Sequence, residues 1–448
     1  ALPDPSGSNN PRDPTLPSYW KAENHTDEKS LLRVENWQPL IKDLVLGANN
    51  NKPPSTVKLT HEAATAIMRY VEEIKMYANI EDSKRIQQHG GAIPEQYPKE
   101  SWKDPEFLDR HWKEEVLTKW PKSRLRSKWL SALVSLENNL DTAVRKYQDE
   151  KGAQTNAFIK LSVRSPKDAV FNCSRYYKHL KNKLNHNHSE KQDNETNKGA
   201  NQVFSESVNA IRWASWQTLS CSSGSDALKL LLRSERIYLD VLQHELFIRG
   251  EKEQKFNLNV HVAAFDDRFD PALEFRGFVA KGKRTSITAY SPFVYDRRIV
   301  TSKAAIWAKI KEIWDKADER LTLADYSIDF CLSPDLKECW IVEINAFLPP
   351  LAGCGLFDYN NKDDRALMLE GAKPFEFRIK TTALSPEDFL HERKDEKTGK
   401  VTKTIMMPAP PHVMAYAKAL QKKQKPLWEI GGRRGGCSGF DATTCSLL

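Results

Sequence analysis

No apolar run in this chain approaches the ~20 residues needed to cross a bilayer, and no hydrophobic stretch of the signal-peptide kind stands near residue 1. The expectation is therefore a cytoplasmic protein, in which the N-x-S/T triplets at Asn24, Asn172, Asn187 and Asn194 are idle. The seven cysteines, Cys173, Cys221, Cys331, Cys339, Cys354, Cys437 and Cys445, form no CxxC pair and are odd in number. This argues against a disulfide framework or a zinc ribbon and for reduced thiols. There is no GxxxxGK[ST] segment, which excludes a P-loop nucleotide site. No Ser/His/Asp or Cys/His set suggests a protein nucleophile, and no internal repeat is visible.

What is present is length and a thin basic excess. The 448 residues suffice for two or three packed units, and the net charge of +8 gathers only near the C-terminus. That excess permits contact with phosphates or anionic lipid and gives no reason to expect nucleic acid. Residues 1–30 are rich in Pro, Ser, Asn and Asp and read as a disordered lead-in. Residues 31–150 follow mostly helical spacing, with apolar positions at Ala64, Ile67, Met68, Val71 and Ile74 and again from Trp112 to Leu136. Residues 151–383 carry most of the strand-like runs. Within them 181–202 is polar and low in complexity and reads as a flexible insertion, where His186 and His188 give only a weak metal signal. Strand-like runs are expected at 156–163, 236–242, 257–265, 274–280 and 285–290, and helices at 225–232 and 303–320. Residues 384–448 form a charged, proline-rich and basic tail.

The most informative stretch is 326–347, YSIDFCLSPDLKECWIVEINAF. Two alternating runs separated by Ser333-Pro334-Asp335 predict a hairpin. Asp329 falls opposite the face of Tyr326, Ile328, Phe330 and Leu332. Glu343 and Asn345 fall opposite Trp340, Val342 and Ile344. A turn near Leu336 makes Asp329 and Glu343 cross-strand neighbours roughly 5 Å apart at Cβ. Two carboxylates that close repel unless a cation separates them. A hard divalent ion held by Asp329, Glu343 and the amide of Asn345, Mg²⁺ before Ca²⁺, removes the conflict; a solvated acidic face is the plainer alternative.

Two further side chains extend this picture. Lys160 interrupts the apolar pattern of Phe158, Ile159 and Leu161; it either faces water or meets an anion such as phosphate. Arg276, two residues past Glu274, can hold a phosphate bidentately or form an ordinary ion pair on the sheet. A lysine, an arginine and a carboxylate–amide metal set on successive strands suit a nucleoside triphosphate.

These segments, FIKLSVRSPKDA (158–169), SSGSDALKLLLRSERI (222–237), DPALEFRGFV (270–279), SIDFCL (327–332), WIVEINAF (340–347) and GLFDY (355–359), resemble the cell division cycle protein 123 family over roughly half the chain. The resemblance implies an α+β, ATP-grasp fold in which two α+β subdomains clamp ATP, behind an N-terminal helical region. It implies that Lys160 contacts phosphate, that Arg276 lies over the phosphates, that Ser165 and Lys167 line the nucleotide entrance, and that Asp329, Glu343 and Asn345 bind Mg²⁺. It also implies an assembly chaperone for the gamma subunit of translation initiation factor 2. ATP-grasp proteins otherwise commonly ligate a carboxylate to an amine or thiol through an acylphosphate, which makes a ligase the competing expectation, and a fold that has lost ATP the blander one. Residues 261–265 (HVAAF) and 288–291 (TAYS) depart from the family pattern and mark a divergent paralogue. Finally, Cys445-Ser446-Leu447-Leu448 partly fits a prenylation signal behind Arg433, Arg434 and four lysines. That would bring the tail to a membrane surface.

Overall fold

The alternating runs of the sequence form two sheets facing one another. The structure is a computed structural model that describes residues 34–46, 54–72, 111–119, 124–151, 156–189, 200–250, 256–347, 353–385, 388, 390–394 and 401–405. The smaller sheet holds β1 (Ser55–Leu59), β2 (Ala157–Leu161) and β3 (Leu258–Ala264), in the order β1-β3-β2 and antiparallel throughout. The larger holds β4 (Glu274–Ala280), β5 (Lys283–Ala289), β6 (Tyr326–Leu332), β7 (Cys339–Ala346) and β8 (Glu376–Arg378), in the order β7-β6-β4-β5-β8, with only β5 and β8 parallel. A separate two-stranded ribbon pairs 390–394 with 401–405. The α+β class expected from sequence is the one present.

Each sheet buries one face against helices. Val57, Leu59, Ile159, Leu161, Val260 and Val262 are buried with α1 (His61–Tyr70), α2 (Trp112–Lys119) and α3 (Arg124–Lys151). β1 lies inside the stretch that helical spacing had claimed. The reason is short-range: Val57 and Leu59 alternate with exposed Thr56 and Lys58, and Thr60 then caps α1 by accepting from Ala63 N at 3.2 Å. Residues 31–150 thus supply one strand of the same sheet as β2 and β3.

The described parts of the predicted insertion, 181–189 and 200–202, are helical. α4 (Ser174–Ser189) runs through its first half and α5 (Ala200–Thr218) begins before its end. Leu180 and Leu184 of α4 are buried against Phe204, Val208 and Ile211 of α5, a sparse apolar stripe that the surrounding polar residues hide. The run 236–242 is also helical. α6 (Gly224–Arg233) is followed at once by α7 (Glu235–Gly250). Ile237, Leu239 and Val241 look like a strand, but Ile237 and Val241 are buried while Leu239 is 45% exposed. The deciding signal is Ser234, whose Oγ accepts from Ile237 N at 3.1 Å and starts the helix.

On the larger sheet Phe275, Ile287, Ile328, Phe330, Ile341 and Ile344 pack against α8 (Arg297–Thr301) and α9 (Lys303–Asp318), whose Ile306, Ile310 and Trp314 are fully covered. Gly277 makes this possible: a Cβ there would lie 2.3 Å from the Trp314 ring. The hairpin forms as predicted, with Leu336 in its turn at φ 61° and Asp329 opposite Glu343. One correction concerns its faces. A β-bulge on β7 shifts the register between Asp329↔Glu343 and Phe330↔Ile341. Trp340 and Val342 therefore leave the face of Ile344 and pack toward the smaller sheet, on the side of Glu343.

Residues 34–46 tie the two sheets together. Val34 N donates to Ser162 O beside the smaller sheet at 3.1 Å. Ten residues on, the backbone runs beside β7, with Leu46 N to Ile341 O and Ile341 N to Leu44 O, both 2.8 Å.

Candidate functional site: a charged cleft between two sheets

The even-numbered residues of β4 turn away from α9, which carries Glu274 and Arg276 onto the face that looks toward the smaller sheet. Asp329 of β6 sits directly opposite Arg276 in the register, and Glu343 and Asn345 follow from β7. From the other side, β2 delivers Lys160 and the loop after it delivers Lys167. Residues far apart in sequence thus converge because strand alternation on both sheets points them into one cleft.

Their pairing is specific. Arg276 grips Asp329 with two parallel bonds, Nε to Oδ1 and Nη2 to Oδ2, both 2.7 Å. Its remaining Nη1 donates to Gly353 O at 3.3 Å. Lys160 Nζ pairs directly with Glu343 Oε1 across the gap between the sheets and lies 5.9 Å from the Trp37 ring centroid. Asn345 Nδ2 reaches Asp329 Oδ2 at 3.4 Å. Of the two alternatives open for each cation, Lys160 meets an anion rather than water, and Arg276 forms a sheet ion pair, with Asp329 rather than its neighbour Glu274.

The electrostatics follow from burial set against these pairs. Burial alone would raise the Glu343 carboxyl, but Lys160 and Lys167 outweigh it and hold the group at about 2. Arg276 stays firmly charged: burial disfavours the guanidinium, and Asp329 more than restores it. Lys167 likewise overcomes its burial through Tyr290, Glu274 and Glu343 and titrates above the usual lysine range. Glu274 goes the other way, raised by burial beyond what Lys167 and Arg212 recover.

The loop bearing Ser165 and Lys167 is fastened to the start of α7. Asp168 accepts from Ser234 Oγ at 2.5 Å and from the backbone N of Glu235 and Arg236 at 2.7 and 3.2 Å. Arg164 Nε donates to Asp240 one turn further along, at 2.8 Å. Ser165 is buried, and its carbonyl accepts from Lys167 N. Lys167 Nζ lies 5.1 Å from the Tyr290 ring centroid, which also carries Arg276 at 4.6 Å. Sequence reasoning placed no role on Asp168, Tyr290 or Arg212. The Ser-Pro-Lys-Asp run was the available signal for Asp168, since aspartate is among the residues that satisfy the free amides at a helix start. For Tyr290 and Arg212 no local pattern pointed to the cleft.

Could this cleft hold a divalent ion? Among the described residues no three His, Cys, Asp or Glu side chains cluster as a metal set. The donors for a hard cation are two carboxylates and one amide, and both carboxylates are engaged by Arg276 and Lys160. The set fits Mg²⁺ if an anionic ligand takes over the two cations, because a hard ion of this kind needs few protein oxygens when phosphates supply the rest.

The D123 family model matches residues 210–406. That stretch is similar to the D123 family. It contains Arg212, Glu274, Arg276, Asp329, Glu343 and Asn345, whereas Lys160, Ser165 and Lys167 lie before it. The chain is also similar to two solved structures of Cdc123 from Schizosaccharomyces pombe, one of them C-terminally truncated. Against the truncated form it is 15% identical, with a TM-score of 0.43, covering 80% of this chain and 98% of the other. Against the other form the values are 14%, 0.42, 80% and 98%. No curated protein matches the chain. The five described cysteines, Cys173, Cys221, Cys331, Cys339 and Cys354, are free thiols, as expected. No described helix is long and apolar enough to cross a membrane. Cys445 and the basic residues around it lie outside the described residues, as do residues 1–30.

Proposed function

We propose that the cleft binds ATP with Mg²⁺ in an ATP-grasp arrangement, and that the chain acts as a D123-type binding protein. The observation that carries this reading is the Lys160–Glu343 contact, which joins a strand of the smaller sheet to a strand of the larger. Four cations, Lys160, Lys167, Arg212 and Arg276, share the cleft with three carboxylates, Glu274, Asp329 and Glu343. The surplus of one positive charge is suited to a polyanion. Two exchanges would then balance. Lys160 and Arg276 would turn from carboxylates to phosphate oxygens, while Asp329, Glu343 and Asn345 would hold the divalent ion, which supplies charge neutralisation. Arg276 offers a planar fork and Lys160 a point charge, two complementary ways of holding phosphate. Ser165 and Lys167 would line the nucleotide entrance.

The macromolecular partner implied by the family resemblance is the gamma subunit of translation initiation factor 2, with the protein as its assembly chaperone. Equilibrium binding of ATP with and without Mg²⁺, followed by copurification of tagged protein from cells, tests both halves. Micromolar to millimolar ATP binding that requires Mg²⁺, with the initiation factor retained, supports the reading. Absence of nucleotide binding at millimolar ATP overturns it. ADP release that depends on one carboxylic acid would replace the chaperone with a ligase.

A further inference from the structure

Glu274 is a buried charge in the cleft that closes on neither of its cations. Its side chain is 3% exposed, and its Oε1 accepts no hydrogen bond. Lys167 Nζ stands 4.0 Å from it and Arg212 Nη2 stands 3.8 Å from Oε2. Arg212 is itself 15% exposed, and its buried Nε has no acceptor. On the same strand face, two residues away, Arg276 and Asp329 close to 2.7 Å twice over. Close approach is thus attainable here, yet the Glu274 cluster stays open. Leaving a buried donor and a buried acceptor unsatisfied is costly and calls for a reason.

We propose that Lys167 and Arg212 form a second oxyanion seat beside Lys160 and Arg276, taking a phosphoryl or carboxylate group of the ligand, with Glu274 as the resident counter-ion that keeps the two cations together until that group arrives. An incoming oxyanion meets donors that have no bond to give up, so it gains hydrogen bonds at the outset. It is opposed by the Coulombic repulsion of Glu274. The Tyr290 ring, in contact with both Lys167 and Arg276, lies between the two seats and places them next to each other. The inference deepens the nucleotide reading but stands on other residues: a triphosphate long enough to cover both seats, or a nucleotide in one and a separate acid in the other, would each satisfy it.

A counter-ion differs from a structural partner or a metal ligand in one measurable way, since removing its charge should tighten anion binding. The test compares wild type, Glu274→Gln and Arg212→Gln by calorimetry with inorganic diphosphate, Mg·ATP and citrate, the last with and without nucleotide, and checks each apo protein by its melting curve. Glu274→Gln is expected to bind the anions at least threefold more tightly, and Arg212→Gln at least tenfold more weakly, with Arg212→Lys recovering part of the loss. If the Arg212→Gln loss falls on diphosphate and ATP, the second group is a phosphoryl; if it falls on citrate alone, it is a carboxylate. Either supports the seat. Should ATP fail to bind while diphosphate or citrate still shows both effects, the nucleotide reading fails and the seat stands. A folded Glu274→Gln with unchanged or weakened affinity for every anion overturns the proposal.

Discussion

The ammonium of Lys160 on one sheet and the carboxylate of Glu343 on the other form an ion pair whose members are 13% and 14% exposed, and no other strand-to-strand ion pair among the described residues joins the two sheets. Replacing Lys160 with Met leaves Glu343 without its first partner in a poorly hydrated place. The expected loss is about 3 kcal/mol in chemical denaturation near neutral pH, the size typical of breaking a buried pair.

The same pair sets an acid limit. Glu343 falls from its ordinary 4.5 to about 2 in the folded chain, so it contributes stability above the unfolded value and loses it as pH drops toward the folded one. Wild type and Lys160→Met should therefore differ most above pH 4.5 and converge toward pH 2. Denaturation midpoints measured from pH 2 to 7 check this; a gap that widens on acidification would contradict it.

Mg·ATP at a hundred times its dissociation constant should stabilise the protein by about 2.7 kcal/mol, visible as a rise of several degrees in melting temperature. Asp329→Asn and Glu343→Gln keep the side-chain shapes but remove the charge, and each should abolish the Mg²⁺-dependent part of the rise. A variant that retains the full shift would remove that residue from the metal set.

Asp168 is the peg that holds Lys167 in place. Asp168→Ala removes three accepted bonds at the start of α7, and a lost helix cap costs roughly 1–2 kcal/mol. If the loop matters to the ligand, nucleotide affinity should fall as well, and it should fall further than in Arg164→Ala, which loosens the loop one step farther away. Paired melting and binding measurements separate the two effects.

Gly277→Ala should be strongly destabilising, because the added methyl meets the Trp314 ring at 2.3 Å with no room to yield on a fully packed face. Overpacking of this kind costs about 1–3 kcal/mol or more. Trp314→Phe in the same chain should recover part of the loss, which a double-mutant comparison would reveal.

The hairpin and the strands around it could be read directly, because their alternation is regular and their punctuation by Pro, Asp and Gly is strong. The convergence of Lys160, Arg276, Asp329 and Glu343 was legible for the same reason, since each interrupts an apolar run on a definite face. The bulge on β7 was not, because a one-residue insertion leaves no mark in composition; it nevertheless decides where Trp340 and Val342 point. Ile237, Leu239 and Val241 misled through their spacing, with the outcome settled by a serine just before them. Leu180 and Leu184 are too few among lysines and asparagines to announce a helix pair without their partners on α5. Arg212 and Tyr290 reach the cleft only through the tertiary arrangement, which local pattern does not encode.

The stretch at 44–46 that bonds to Ile341 has a consequence for self-association. A hairpin strand at the border of a sheet offers unpaired amides to any passing chain and invites stacking of copies into insoluble arrays. Here the chain's own backbone occupies that border, while the opposite border ends in a strand of only three residues, 376–378. Loosening the 44–46 segment would expose a ready template, and clumping would then be its first symptom.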